Sequence, residues 1–328
     1  PEGAGHGRLG YKIKQGINMT TEDDKQTFIF SAPDDQQIFC HRWPVNEPRA
    51  IVQIAHGGAE HGGRYAPLAR RLNEQGYIVY ADDHRGHGRT GEINTRLGDM
   101  GEANAFERVC DDVLALGKRA KTENPGIPLV ILGHSLGSLI SQRILLQHSE
   151  YYAAAVLSGS PDIINVASAA ELIHAEVDRV GRNEVSDVLE AGIVEGFAAD
   201  FPDAATPNDW LSRDPEQVKL YMEDPWCGYP LCAGVWQDLI AAMLVTAEVP
   251  AVAATLRKDL PIYILSGSDD PTHNKWAGIK RLVDNYRQCG LEAVTVKQYA
   301  GGRHELFNET NREQVISELL QWLGTTLP

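Results

Sequence analysis

The run Leu129-Val130-Ile131-Leu132-Gly133-His134-Ser135-Leu136-Gly137 carries an apolar stretch of strand length straight into the helical pattern of residues 136–147. A serine at such a junction lies on a tight strand-to-helix turn. Its flanking glycines let a strained backbone pass close to its neighbours, and the hydroxyl stands clear at the strand end. The strand before it is apolar at every position, which a sheet covered on only one face would not require. It therefore predicts a parallel strand buried on both sides.

Working outward, seven more strands are predicted. Residues 27–31 and 37–42 are split by the turn-forming Pro33-Asp34-Asp35. Residues 50–55, 78–82, 153–158, 262–266 and 293–299 complete the series. Helical patterns alternate with them at 65–75, 103–121, 274–288 and 309–323; in the second, Phe106, Val109, Cys110, Val113 and Leu114 form one stripe. The expected class is α/β: a mostly parallel, twisted sheet with helices on both faces. Residues 161–256 break the rhythm. They show helical patches at 167–180, 185–197 and 234–249, a loop-rich middle at 202–230 and no strand pattern. Some ninety residues without a strand exceed any crossover connection, so they are expected to form a helical cap, or lid, over one end of the sheet. The core is then 19–160 plus 257–328.

Composition narrows the function. The chain has 328 residues, 43% hydrophobic and 23% charged, with a net charge of −15. That balance suits a packed globular protein and opposes a nucleic-acid partner, whose phosphates demand a basic surface. No apolar run reaches the roughly 18 residues a membrane span needs. Five scattered cysteines suit a reducing, cytoplasmic setting. Cys227 and Cys232 lie close together, but no second Cys/His pair stands at zinc-like spacing, so neither a metal nor a disulfide is expected there. Residues 1–18 are Gly-rich and basic without the apolar centre of a secretory signal. They are expected to be a disordered arm or a foreign leader, with Met19 as the natural start. Asn18 and Asn308 match the glycosylation pattern and are expected to be unused.

A serine hydroxyl becomes a useful nucleophile only when a base takes its proton, and that base needs an acid to orient it. Strand 262–266 runs into Gly267-Ser268-Asp269-Asp270, and strand 293–299 into Gly301-Gly302-Arg303-His304. The order serine, acid, histidine, each at a strand end, points to Ser135, Asp270 and His304. Asp269 is the alternative acid, with a turn or helix-capping role as its ordinary explanation. For the developing oxyanion, the Leu136 N–H lies at a helix start. The loop His56-Gly57-Gly58 after strand 50–55 offers a second donor, for which Gly58 is chosen. His56, His134 and the histidines of Asp83-His84-Arg85-Gly86-His87-Gly88 are read as turn-shaping or packed side chains. Trp226, Tyr229 and Trp236 fit either an acyl pocket or the core of the insertion.

At these residues the sequence resembles the monoacylglycerol lipase and lysophospholipase branch of the α/β-hydrolase fold. The resemblance rests on His56-Gly57-Gly58-Ala59-Glu60-His61-Gly62-Gly63-Arg64-Tyr65, on Asp83–Gly88, on the Ser135 turn and on the Asp270 and His304 segments. It covers residues 25–160 and 260–323. It implies an oxyanion hole of Gly58 and Leu136, a lid over 161–256, and Glu60 and Arg64 near the alcohol end of the substrate. The pair's simpler role is to brace the loop. Phe307 stands where animal members carry a second histidine. The resulting expectation is a carboxylic-ester hydrolase acting on a monoacyl lipid or similar small ester, with no cofactor and no metal. Lysophospholipase or broad carboxylesterase activity is the near alternative. An aminopeptidase would need a carboxylate such as Glu171, Glu176, Glu195 or Asp200 to catch an amine. A ligand-sensing homologue of low turnover is the alternative from another class.

Overall fold

A computed structural model describes residues 25–162, 169–247 and 256–328. The expectations for residues 1–18 and Met19 fall outside these. Eight strands form one sheet: β1 Gln26–Ser31, β2 Gln37–Trp43, β3 Ala50–Ala55, β4 Tyr77–Asp82, β5 Leu129–His134, β6 Ala154–Ser158, β7 Ile262–Gly267 and β8 Val294–Tyr299. Their order is β1-β2-β4-β3-β5-β6-β7-β8. β1 and β2 pair antiparallel, and β2 joins β4 antiparallel; all later pairings are parallel.

The central strands sort their side chains by the two-residue period of a strand. Ile51, Ile131, Ala155 and Ile264 enter one buried cluster with helices Ala105–Glu123, Leu136–His148 and Ala277–Gln288. Val52, Val130, Leu132, Val156 and Leu265 enter the other, with helices Ala66–Asn73 and Arg312–Thr326. Both faces are thus covered, as the apolar runs require. β8 is the exception: it is an edge strand, largely exposed along its length.

From β3 the chain moves to one side to form β4, then crosses back to form β5 on the other side. The loops leaving the carboxyl ends of β3 and β5 therefore diverge and leave a crevice, where open α/β sheets bind ligands. Both the Gly57-Gly58 loop and Ser135 leave the sheet there.

Between β6 and β7 the described residues hold no strand, only an isolated bridge between Val185 and Cys232. Helices Ala170–Val180 and Ala233–Ala247 lie close to the expected patches; residues 163–168 and 248–255 are not described. The patch at 185–197 is helical, a π-helical stretch, Glu190–Val194, joining the α-helical Asp187–Leu189 and Glu195–Ala198 without a break. The loop-rich middle contains a helix, Pro215–Glu223. Its start is fixed by Asp214, whose carboxylate accepts the Glu216 N–H, and by Pro215 in the first turn. The expected loop is helical here, because this proline sits where a helix tolerates it. A second helix, Gly88–Asn94, follows the histidine-rich turn.

Candidate active site

Ser135 sits at the β5-to-helix turn with φ 52° and ψ −115°, a left-handed conformation that side chains rarely adopt. The turn is held by the Ser135 N–H to Ser158 O (3.0 Å), and Ser135 O accepts from Ser138 N–H (2.9 Å). Its glycines are required by close approach. A Cβ at Gly133 would lie 2.2 Å from Gly137 O, and one at Gly137 only 2.0 Å from Ala55 O.

Asp270 follows β7 and caps the short turn Pro271–His273, accepting the Thr272 N–H at 2.9 Å and its hydroxyl at 2.7 Å. The Ser266 hydroxyl donates to Oδ2 at 3.2 Å. His304 Nδ1 meets both carboxylate oxygens, at 3.1 and 3.0 Å. Asp269 is exposed and bonded to Ser268, so Asp270 is the aspartate that faces the histidine. Burial alone would raise the Asp270 pKa, but His304 outweighs it and holds the carboxyl well below its ordinary value. For His304, burial pulls downward and the Asp270 carboxylate more than offsets it, so the imidazole is raised.

Ser135 and His304 border one cavity of about 170 Å³. Gly58 and Leu136 border it too, and neither backbone N–H has a hydrogen-bond partner among the described residues. Residues from the β6–β7 segment close the other side. Trp210 stacks obliquely on His304 (ring centroids 5.1 Å), and backbone bonds from His304 and Glu305 to Trp210 and Leu211 tie that segment to the histidine loop. Tyr229 and Trp236 are in the wall. Trp226 is not; it meets His61 edge-on and Arg89 lies over it.

Glu60 also borders the cavity, whereas Arg64 lies behind it. Glu60 Oε1 accepts the Gly57 N–H (2.5 Å) and the Tyr65 hydroxyl (2.8 Å), and Oε2 accepts from Arg64 (2.6 Å). Arg64 forks onto Glu305 at 2.7 and 2.8 Å. Glu305, in the cavity wall beside His304, has no part in the sequence reading. A contact across 241 residues leaves no local signal.

The other histidines are locally engaged. His56 Nδ1 donates to Gly57 O (2.7 Å), and its Nε2 accepts the His84 N–H (2.9 Å). His84 pairs with Asp82, and His87 with Arg85 O. His134 is buried 4.7 Å from the His304 ring, and burial, then His304, bring it down to about 4. Among the described residues, two groups could approach a metal, His41/His61/Asp83 and His61/Asp224/Cys227. The carboxylates of Asp83 and Asp224 and the Nε2 atoms of both histidines already serve the fold. Asp83 holds His41 and the Gly62 and Arg89 N–H groups, while His61 accepts from Gly63 and bonds Asp224. All five cysteines are free.

A strained serine at a strand-to-helix turn, on a sheet of this topology, defines the class: a serine hydrolase of the α/β-hydrolase fold. The family model described as serine aminopeptidase, S33, matches residues 46–311, and the chain belongs to that family. It is 34% identical to a monoacylglycerol lipase of Mycolicibacterium smegmatis, over 87% of this chain and 91% of that protein. A mouse monoglyceride lipase is 29% identical over 89% of this chain and 88% of its own length. Among solved structures, a thermostable carboxyl esterase from Bacillus coagulans, in complex with glycerol, superposes with a TM-score of 0.85. It is 25% identical and covers 94% of this chain and all of that one. The relatives place the chain in the monoacylglycerol lipase-like branch.

Proposed function

We propose that the protein hydrolyses carboxylic esters of monoacyl lipids, monoacylglycerol or a similar small ester, through an acyl-enzyme on Ser135. The observation that carries this is the cavity wall. Leu139, Ile193, Leu231, Leu239 and Met243 line it together with Ser135, a surface suited to an acyl chain, and Glu60, His304 and Glu305 put polar groups in the same wall. His304 takes the Ser135 proton as Oγ attacks the ester carbonyl, and Asp270 holds the imidazole in the tautomer that leaves Nε2 free. The Gly58 and Leu136 N–H groups receive the oxyanion. His304 then protonates the leaving alcohol, and water activated by the same imidazole releases the fatty acid. Glu60, with acceptor capacity left on Oε2, meets a hydroxyl of the leaving group, and Arg64 fixes Glu60 in place. Residues 161–256 act as the cap over this chemistry. No cofactor or metal takes part, and five free thiols favour a cytoplasmic setting.

The amine-binding alternative needs a carboxylate of the insertion in the cavity. Glu176 is engaged by Arg179 and Ser186, Glu171 and Asp200 are exposed and outside the cavity wall, and the Glu195 side chain lies outside the described ones; Glu190 of the same segment does border the cavity, so the choice falls to the substrate panel. Initial rates on monoacylglycerols, lysophospholipids, p-nitrophenyl esters and aminoacyl amides test the assignment. The proposal expects monoacylglycerols to give the highest kcat/KM among the natural lipids and amides to be poor substrates. Preferred cleavage of aminoacyl amides would overturn it.

A further inference from the structure

The proton-relay histidine and the oxyanion donors stand on loops far apart in sequence, yet a single ion-pair chain joins them. Gly57 donates to Glu60, Glu60 is bonded by Arg64, and Arg64 forks onto Glu305, the residue next to His304. Asn308 Nδ2 holds Glu305 from the other side, donating to Oε2 at 2.8 Å. Tyr221, whose ring lies 4.9 Å from the Arg64 guanidinium, donates its hydroxyl to Ala59 O. Glu60 and Glu305 are both buried, at 3% and 6% exposure, so neither carboxylate is a solvated surface charge.

We propose that Glu305 is a positioning residue, clasping the His304 loop to the oxyanion loop through Arg64 so that proton relay and oxyanion donors keep a fixed separation. The inference rests on the triad reading above. A buried ion pair contributes little net stability compared with apolar packing of the same volume. A bidentate fork does fix distance and orientation, and small misplacements of reacting groups are costly in rate. Glu305 also acts electrostatically. The charged and titratable groups around His304 are Asp270, Glu305, Glu60 and His134, and both glutamates favour the protonated imidazole.

The test compares wild type with Glu305→Gln and Arg64→Lys on a monoacylglycerol and a p-nitrophenyl ester of equal chain length. It reads kcat, KM, the pH profile of kcat/KM and the Tm. Losing a hydrogen bond to a charged group corresponds to about ten- to a hundredfold in rate. Glu305→Gln should therefore lower kcat by about that factor on both esters. KM should change little, and the acidic limb should move to lower pH because a negative charge beside His304 is gone. Arg64→Lys keeps its charge but loses the fork. It should lower kcat on both esters while leaving the limb closer to wild type. Wild-type kcat in Glu305→Gln would overturn the proposal, as would a loss confined to KM on the monoacylglycerol, which would make Glu305 a substrate contact. If Glu305→Gln fails to fold, Arg64→Lys decides alone by the same kcat criterion. Ser135→Ala separates the two ideas: turnover surviving in that variant refutes the triad itself, whereas an inactive Ser135→Ala beside a fully active Glu305→Gln refutes only the clasp.

Discussion

Replacing Asp270 by Asn changes one oxygen for an NH₂ in a site where every neighbour is a donor. Oδ1 accepts the backbone N–H and hydroxyl of Thr272, while Oδ2 accepts from Ser266 and lies nearer to His304 Nδ1. The backbone N–H cannot reverse its role, so the asparagine oxygen must take the Oδ1 position. Its NH₂ then points at His304 Nδ1 and the Ser266 hydroxyl. The Ser266 hydroxyl can turn to accept. His304 can satisfy the new donor only by carrying its proton on Nε2, the atom that must accept from Ser135. The wrong tautomer in a Ser-His-Asp triad costs about 10⁴ in kcat. That is about 5.5 kcal/mol of transition-state stabilisation. Asp269→Asn, at an exposed position whose side chain is bonded to the neighbouring Ser268 and whose backbone bond to Gly302 the change keeps, should cost less than about tenfold. The assay is steady-state hydrolysis of a p-nitrophenyl ester, with circular dichroism to confirm that both variants fold. An Asp270→Asn enzyme within tenfold of wild type, or a larger loss at Asp269, would refute the reasoning.

Because His304 must be neutral to accept a proton and its pKa is raised above 6.5, kcat/KM should rise with pH through an apparent pKa above 6.5. A flat profile from acid to neutral pH would contradict this. The same His304–Asp270 pairing should stabilise the fold between the depressed carboxylate pKa and the raised imidazole pKa. His304→Ala should therefore narrow its stability gap from wild type at both pH extremes, as read from urea midpoints. Gly137→Ala should lower stability by about 3 kcal/mol or more, because its Cβ meets the Ala55 carbonyl, backbone that cannot swing away. A Tm within a few degrees of wild type would argue against that packing. Glu60→Gln should reduce kcat/KM on a monoacylglycerol more than on a p-nitrophenyl ester of equal chain length; equal losses would confine Glu60 to bracing its loop.

All eight strands were legible in the sequence, each to within a residue or two at its ends, the central ones because apolar runs buried on both faces stop where the chain meets a turn. Their order was not legible. The insertion of β4 between β2 and β3 depends on pairings that no local pattern records. The helix Pro215–Glu223 was missed inside the stretch read as loop, although Asp214 as cap and Pro215 in the first turn mark its start. The Ser135, Asp270 and His304 segments were identified because each follows a strand that carries its side chain to the same edge of the sheet. Glu305 was not. Its role depends on Arg64, which reaches it only after the β3 and β8 loops fold together.

The central claim is that ester turnover passes through Ser135. Treating the folded protein with limiting fluorophosphonate, mapping the adduct by peptide mass spectrometry and measuring residual monoacylglycerol hydrolysis in the same samples tests it most directly. The account predicts one adduct, on the peptide containing Ser135, with activity falling in proportion to its occupancy and no labelling of Ser135→Ala. An adduct on another residue that tracks the loss, or undiminished hydrolysis with Ser135 fully modified, would contradict it.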